Sequence, residues 1–267
     1  MTNEFLPPSD FDGDGSNPPV TAVRLGGGSA IYNGQIVFAN MDRADVEAFL
    51  PQGAGVKLAT NNGAYPNVHP VFHLHGEQTQ TAWVINGERL PIGSDYGEFM
   101  LLVPFVQVAG SSQWFNFVVR MYLTDWGAVL LGKDFGYRKV WAFVDVLASS
   151  FDVKVPDPLN PFNRRDAFHS HHAPNTSSRA AQLQNWPAME TILSMPILGI
   201  DELTGVKLGS YFHLDFTAAS IDPIDCTHGY KPAFDPAMGT GGMTNVLDGA
   251  VDVVGVEWQI DFPAIAL

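Results

Sequence analysis

The sequence predicts an α+β domain dominated by an antiparallel β barrel or cone with few helices, and three observations carry that prediction. Several segments alternate polar and apolar residues with a period of two, as half-buried strands do. Short turns separate them, which suits antiparallel neighbours. The chain has 267 residues, 46% hydrophobic and 12% aromatic, enough apolar material for one full core.

Residues 1–20 are rich in Pro, Gly, Asp, Ser and Asn and read as a flexible arm, leaving 21–267 as a single domain. DFDGDGSNPPVT (10–21) opens like a calcium loop, but Thr21 stands where a bidentate Glu is required. Gly26-Gly27-Gly28-Ser29 reads as a turn. NGQIVFA (33–39) reads as a strand after an Asn-Gly turn. MDRADVEAFLP (41–51) reads as a short helix with Val46, Phe49 and Leu50 on one side, ended by Pro51. Strands are expected at 69–76, 99–108, 114–123, 138–147, 207–216 and 249–262. The Pro-, Asn- and His-rich stretch 156–187 reads as a surface excursion, with a helical turn or two near 177–186.

A formal charge of −14, from 28 acidic against 14 basic residues, disfavours nucleic acid and anionic membrane surfaces as partners. A small-molecule partner is expected instead. The N-terminus lacks a basic-then-apolar signal pattern, and the single cysteine, Cys226, cannot form an internal disulfide, so the expected location is cytoplasmic.

Among six lysines, Lys139 stands out. If 137–143 is a strand, Tyr137, Lys139, Trp141 and Phe143 share one face, which sets the amine among aromatics. Burial penalises the ammonium and leaves free amine to attack a carbonyl, as a Schiff-base nucleophile requires. The other reading of the pattern is an edge lysine whose stem packs on aromatics while its head stays in water. Arg120, a charge within the apolar run FVVRMYL, is a candidate substrate contact or a solvent-facing residue. His69, His73 and His75 share a parity in HPVFHLH. They invite a metal, but no Glu or Asp completes a known spacing, and the preferred reading has His73 and His75 lining a substrate cavity.

MYLTDWGAVLLGKDFGYRKVWAFVDV (121–146) resembles the active-site segment of the acetoacetate decarboxylase family, in which an apolar strand and a Gly-Arg-Glu-like turn precede an aromatic, a proline and two lysines. Here the turn is Gly132-Lys133-Asp134, and Tyr137-Arg138-Lys139 follows. GSDYGEFMLLVPF (93–105) resembles the family segment that carries an active-site glutamate, which places it at Glu98. IVFANMDRADVEAFLP (36–51) resembles the family's opening unit. This resemblance implies the family's barrel or cone, a Schiff base on Lys139 assisted by Glu98, a keto acid substrate, no cofactor and a homo-oligomer. It implies a β-keto acid decarboxylase first, an aldolase or dehydratase second, and a non-catalytic ligand-binding relative third. Substrate contacts fall to Arg120, Tyr137, Trp141, His73 and His75. The departures are Val140 at the family's second lysine, Arg138 at its proline and Asn40 near its substrate arginine.

Overall fold

The computed structural model describes residues 24–59, 67–86, 88–111, 113–134, 136–175, 186–200, 207–235 and 250–266. The expected arm, and nearly all of the segment 177–186 expected to hold a helical turn or two, lie outside these residues. The strands are β1 (Arg24–Asp42), β2 (Val56–Leu58), β3 (Val68–Ile85), β4 (Glu88–Pro91), β5 (Tyr96–Val108), β6 (Trp114–Leu123), β7 (Lys139–Trp141) and β8 (Phe143–Leu147). They continue with β9 (Ser150–Pro156), β10 (Arg164–Pro174), β11 (Ile197–Ile200), β12 (Lys207–Asp215), β13 (Ser220–Tyr230) and β14 (Val251–Ala266). Three helices are described: α1 (Arg43–Phe49), α2 (Trp126–Asp134) and α3 (Trp186–Leu193).

The strand order is β1-β3-β5-β6-β11-β12-β14-β13-β10-β9-β8, and β1 also pairs with β14. With both edges of β1 bonded, the first seven strands of that order form a barrel-like circuit. All its joints are antiparallel except β6 to β11, a parallel seam of two residue pairs. The remaining strands leave through the β13–β14 pairing and form a layer stacked outside β3, β5 and β6.

Alternation along each strand divides the core in two. Ile36, Phe38, Phe72, Leu74, Met100, Leu102, Val118 and Met121 point into the circuit, where Phe212 and Ile260 meet them. Val71, Phe99, Leu101, Val103, Phe117 and Val119 point outward, against Phe151, Val153 and Phe168 of the outer layer. Burial of both faces explains why β5 reads as a nearly continuous apolar run. Where β1 crosses β3, Gly34 lies opposite Gly76, and a Cβ on Gly76 would stand 2.2 Å from the Asn33 carbonyl oxygen. Only glycine permits that approach.

Several expected elements change. The segment Gly26-Gly27-Gly28-Ser29 lies within β1 rather than in a turn. The expected strand 138–147 is divided at Ala142, whose N–H donates to the Leu123 carbonyl at 2.8 Å. Part of the expected surface excursion is β10, with Phe168, Ser170 and His172 buried. Ser and His at inward positions disguise the alternation that would have revealed the strand.

Candidate active site

A cavity of about 400 Å³ opens into the circuit, and Lys139 and Glu98 both line it. Glu98 belongs to the inward set of β5, in step with Tyr96 and Met100. Lys139 reaches the same space because β7 runs parallel to β6 and sets Lys139 beside Met121, another lining residue.

The helix α2 delivers the lysine. Asp125 precedes it, and its Oδ1 accepts from the Ala128 N–H at 2.6 Å, which caps the helix start. Gly136, at φ +73°, ends it; its N–H donates to the Lys133 carbonyl at 3.0 Å. Tyr137 and Lys139 follow at once. Gly132, in the last turn of α2, lies flat against the lysine stem, for a Cβ there would stand 2.2 Å from Lys139 Cδ and 2.8 Å from Nζ.

Lys139 is half-buried by residue area, yet its amine is enclosed by protein; the accessible remainder faces the cavity it borders. Burial lowers its pKa from the ordinary lysine value, while the carboxylates of Glu98 and Asp125 pull it back up. Burial raises the Glu98 carboxyl, opposed by Lys139 and by the Gln78 hydrogen bond. Gln78 Nε2 donates to Glu98 Oε1 at 3.2 Å, and the indole N–H of Trp258 donates to Gln78 Oε1. Glu98 is thus fixed by a two-step chain of donors. Burial, followed by Glu98 and Asp125, raises the Tyr96 hydroxyl well above the usual phenol range, so it remains protonated as a donor.

Tyr137 lines the cavity as expected, its hydroxyl raised chiefly by burial. Ser210 pulls the other way, although no hydrogen bond of good geometry joins the two. The other expected contacts lie elsewhere. Trp141 keeps the face of Lys139 but stands one strand repeat, about 7 Å, further along. There it stacks on Trp126 at 5.4 Å and donates its indole N–H to the Thr124 carbonyl at 3.0 Å. Arg120 follows a register shift between β5 and β6 and pairs with Asp235, its Nε donating to that residue's carbonyl oxygen at 2.6 Å.

His73 and His75 alternate with Phe72 and Leu74 and point away from the cavity, into the core between circuit and outer layer. His73 Nε2 lies 2.5 Å from the Tyr230 hydroxyl and His75 Nε2 3.0 Å from Ser170 Oγ. Their shared parity is therefore packing. No group of three His, Cys, Asp or Glu side chains among the described residues has the geometry to hold a metal ion.

Sequence reasoning missed Gln78, Tyr96, Asp125 and Gly132. An Asp before an apolar helical run is a recognisable N-cap, so Asp125 left a signal. Gln78 left none, since its role depends on a partner far along the chain.

No family model and no curated protein matches this chain. Solved structures do. An acetoacetate decarboxylase-like enzyme from Sphingomonas wittichii RW1 superposes with a TM-score of 0.56 at 13% identity, covering 93% of this chain and 96% of that one. The enduracididine biosynthesis enzyme MppR, complexed with the condensation product of pyruvate and imidazole 4-carboxaldehyde, gives 0.51 at 13% identity over 94% and 89%. Acetoacetate decarboxylase from Legionella pneumophila gives 0.50 at 13% identity over 99% and 96%. At such identities the likeness speaks for architecture, and the chain has the acetoacetate decarboxylase-like fold.

Proposed function

We propose that this chain is a lysine-imine enzyme that makes or breaks a carbon–carbon bond beside a carbonyl group, with Lys139 as nucleophile and Glu98 as proton carrier. The observation that carries the reading is the desolvated Lys139 amine in a cavity beside a buried carboxyl group. Neutral Lys139 adds to the carbonyl carbon, and the adduct takes up one proton and loses water, leaving a protonated imine. That cation draws electrons from the neighbouring carbon. A β-carboxylate then leaves as carbon dioxide, or a β-hydroxyl gives up its proton to Glu98 while the Cα–Cβ bond breaks and an aldehyde departs. Either route leaves an enamine. In the aldol route Glu98 returns that proton to the α carbon, in the decarboxylation route protonated Glu98 supplies it and is recharged from solvent, and in both water then frees the ketone and the amine.

Several features support the lysine as nucleophile. The indole, amide and carboxyl chain from Trp258 through Gln78 fixes Glu98 before substrate arrives. Gly132 leaves the space that the lysine stem occupies. Val140 belongs to the outward face, so desolvation alone lowers the amine.

Borohydride reduction during incubation with a ketone, followed by intact mass measurement, tests the reading. A single adduct is expected, mapped to Lys139 and absent from Lys139→Ala. Retention of the adduct or of turnover in Lys139→Ala would overturn it.

A further inference from the structure

We infer that the substrate is an uncharged ketone or aldehyde carrying an apolar body, and not a small keto acid; this rests on the imine reading of Lys139. The cavity's ionisable side chains decide its charge. Among the described residues lining it, Glu98 and Asp125 are acidic and Lys139 is the one cation, with no arginine and no histidine. Lys139 is committed to the imine. Among the described residues, a carboxylate arriving there meets two carboxyl groups and no second cation, in a space where charges interact more strongly than in water.

The walls point the same way. Met100, Val118, Met121, Ile197, Phe212 and Ile260 form an apolar floor. At the mouth, Ile92 and Leu130 are 46% and 60% exposed while also lining the cavity. Apolar side chains thus line the cavity both in its interior and at its exposed rim, surface that an acyl or aryl substituent would cover. Neutral polar groups are present for neutral oxygens: Ser29 Oγ is buried without a partner, and Tyr96 is held as a donor. A space of about 400 Å³, at about 30 Å³ for each water-sized group, takes roughly a dozen non-hydrogen atoms. That exceeds a three- or four-carbon acid.

A substrate without a carboxylate has no carbon dioxide to lose, so the reaction is aldol cleavage or formation: a β-hydroxyketone gives a ketone and an aldehyde, redox-neutral, with the water lost at imine formation restored at its hydrolysis. The test compares borohydride-trapped adduct at Lys139 for 4-phenyl-2-butanone, its ring-carboxylated analogue, acetoacetate and pyruvate. The neutral ketone is expected to label faster than each acid by about tenfold or more. Asp125→Asn, which preserves the helix cap, is expected to narrow that ratio by about fivefold. Labelling by the acids as fast as by the neutral ketone overturns the substrate class and leaves the imine mechanism standing. Absence of an adduct from all four carbonyl compounds overturns the mechanism and this inference together.

Discussion

The position of the Lys139 amine depends on an atom that is missing, the Cβ of Gly132. In Gly132→Ala the new methyl would stand 2.2 Å from Lys139 Cδ and 2.3 Å from Cε, so the lysine must leave its channel. Alanine favours helix over glycine by about 1 kcal/mol, so the fold should hold or gain stability. Imine trapping is expected to fall about a hundredfold, as displacements of an ångström cost elsewhere. A melting temperature equal to or above the parent's, together with unchanged trapping, would refute the role. Glu98→Gln separates binding from chemistry in the same spirit. Gln cannot carry a proton, so turnover should drop by about 10²- to 10⁴-fold while the borohydride adduct persists. Loss of the adduct instead would make Glu98 an architectural residue. Lys139, Glu98 and Tyr137 line the cavity and were legible as candidates in the sequence because each lies in a contiguous segment. Gln78 and Gly132 were not: one acts across strands, and the other acts by its lack of a side chain.

At the scale of elements, the parallel seam between β6 and β11 is the weak joint of the circuit, since two residue pairs bond it. Asn116 reinforces it. The residue is fully buried, and its Nδ2 donates to the Ile192 carbonyl at 2.8 Å and to that of Met195 at 3.3 Å; its backbone N–H donates to the Pro196 carbonyl at 2.8 Å. These bonds engage one carbonyl in the last turn of α3 and two in the segment that follows it, and so fasten the end of that helix to β6. Asn116→Ala removes both side-chain bonds, although the Ile192 carbonyl keeps the Met195 N–H at 3.1 Å, and is expected to cost about 1–2 kcal/mol, read as a lower urea midpoint at unchanged slope. A loss under about 0.5 kcal/mol would show that the seam is held by other contacts. Nothing in the sequence foretold this joint, because a parallel pairing between strands far apart in the chain leaves no local pattern. The strands with clean alternation or long apolar runs, β5, β6 and β12, were legible to within a few residues of their ends. β13 was not, for Pro223 and its polar neighbours break up the alternation that marks a strand.

For the whole molecule, the contact between circuit and outer layer is where histidines accumulate, and this sets the response to acid. His73 and His75 are fully buried, His228 is nearly so, and His69 is buried beside Pro104, to whose carbonyl oxygen its Nε2 lies at 2.9 Å. Burial is the leading cause in each case. It lowers His69 and His228 to about 4 and holds His73 and His75 well below the ordinary value. An unfolded histidine titrates near 6.5, so above that pH these residues are neutral in both states and stability does not depend on them. Below it the unfolded chain takes up protons that the native core refuses, and stability falls with pH. Each histidine contributes a slope of about 1.4 kcal/mol per pH unit, ending near pH 4 for His69 and His228 and lower for the other two. Glu98 works in the opposite direction, because its raised pKa lets the native state bind a proton first, but it is one group against four. With a domain stability of about 5–15 kcal/mol, four such slopes suffice to unfold the chain one to three units below pH 6.5. Urea denaturation at pH 7.5 and at pH 5.5 should therefore give sharply different stabilities. Replacing His228 by Leu should flatten the dependence by the equivalent of one proton between pH 6.5 and 4. Equal stability at both pH values would mean that the interlayer core admits the protonated histidines at no cost, and that burial does not depress their pKa values as the packing implies.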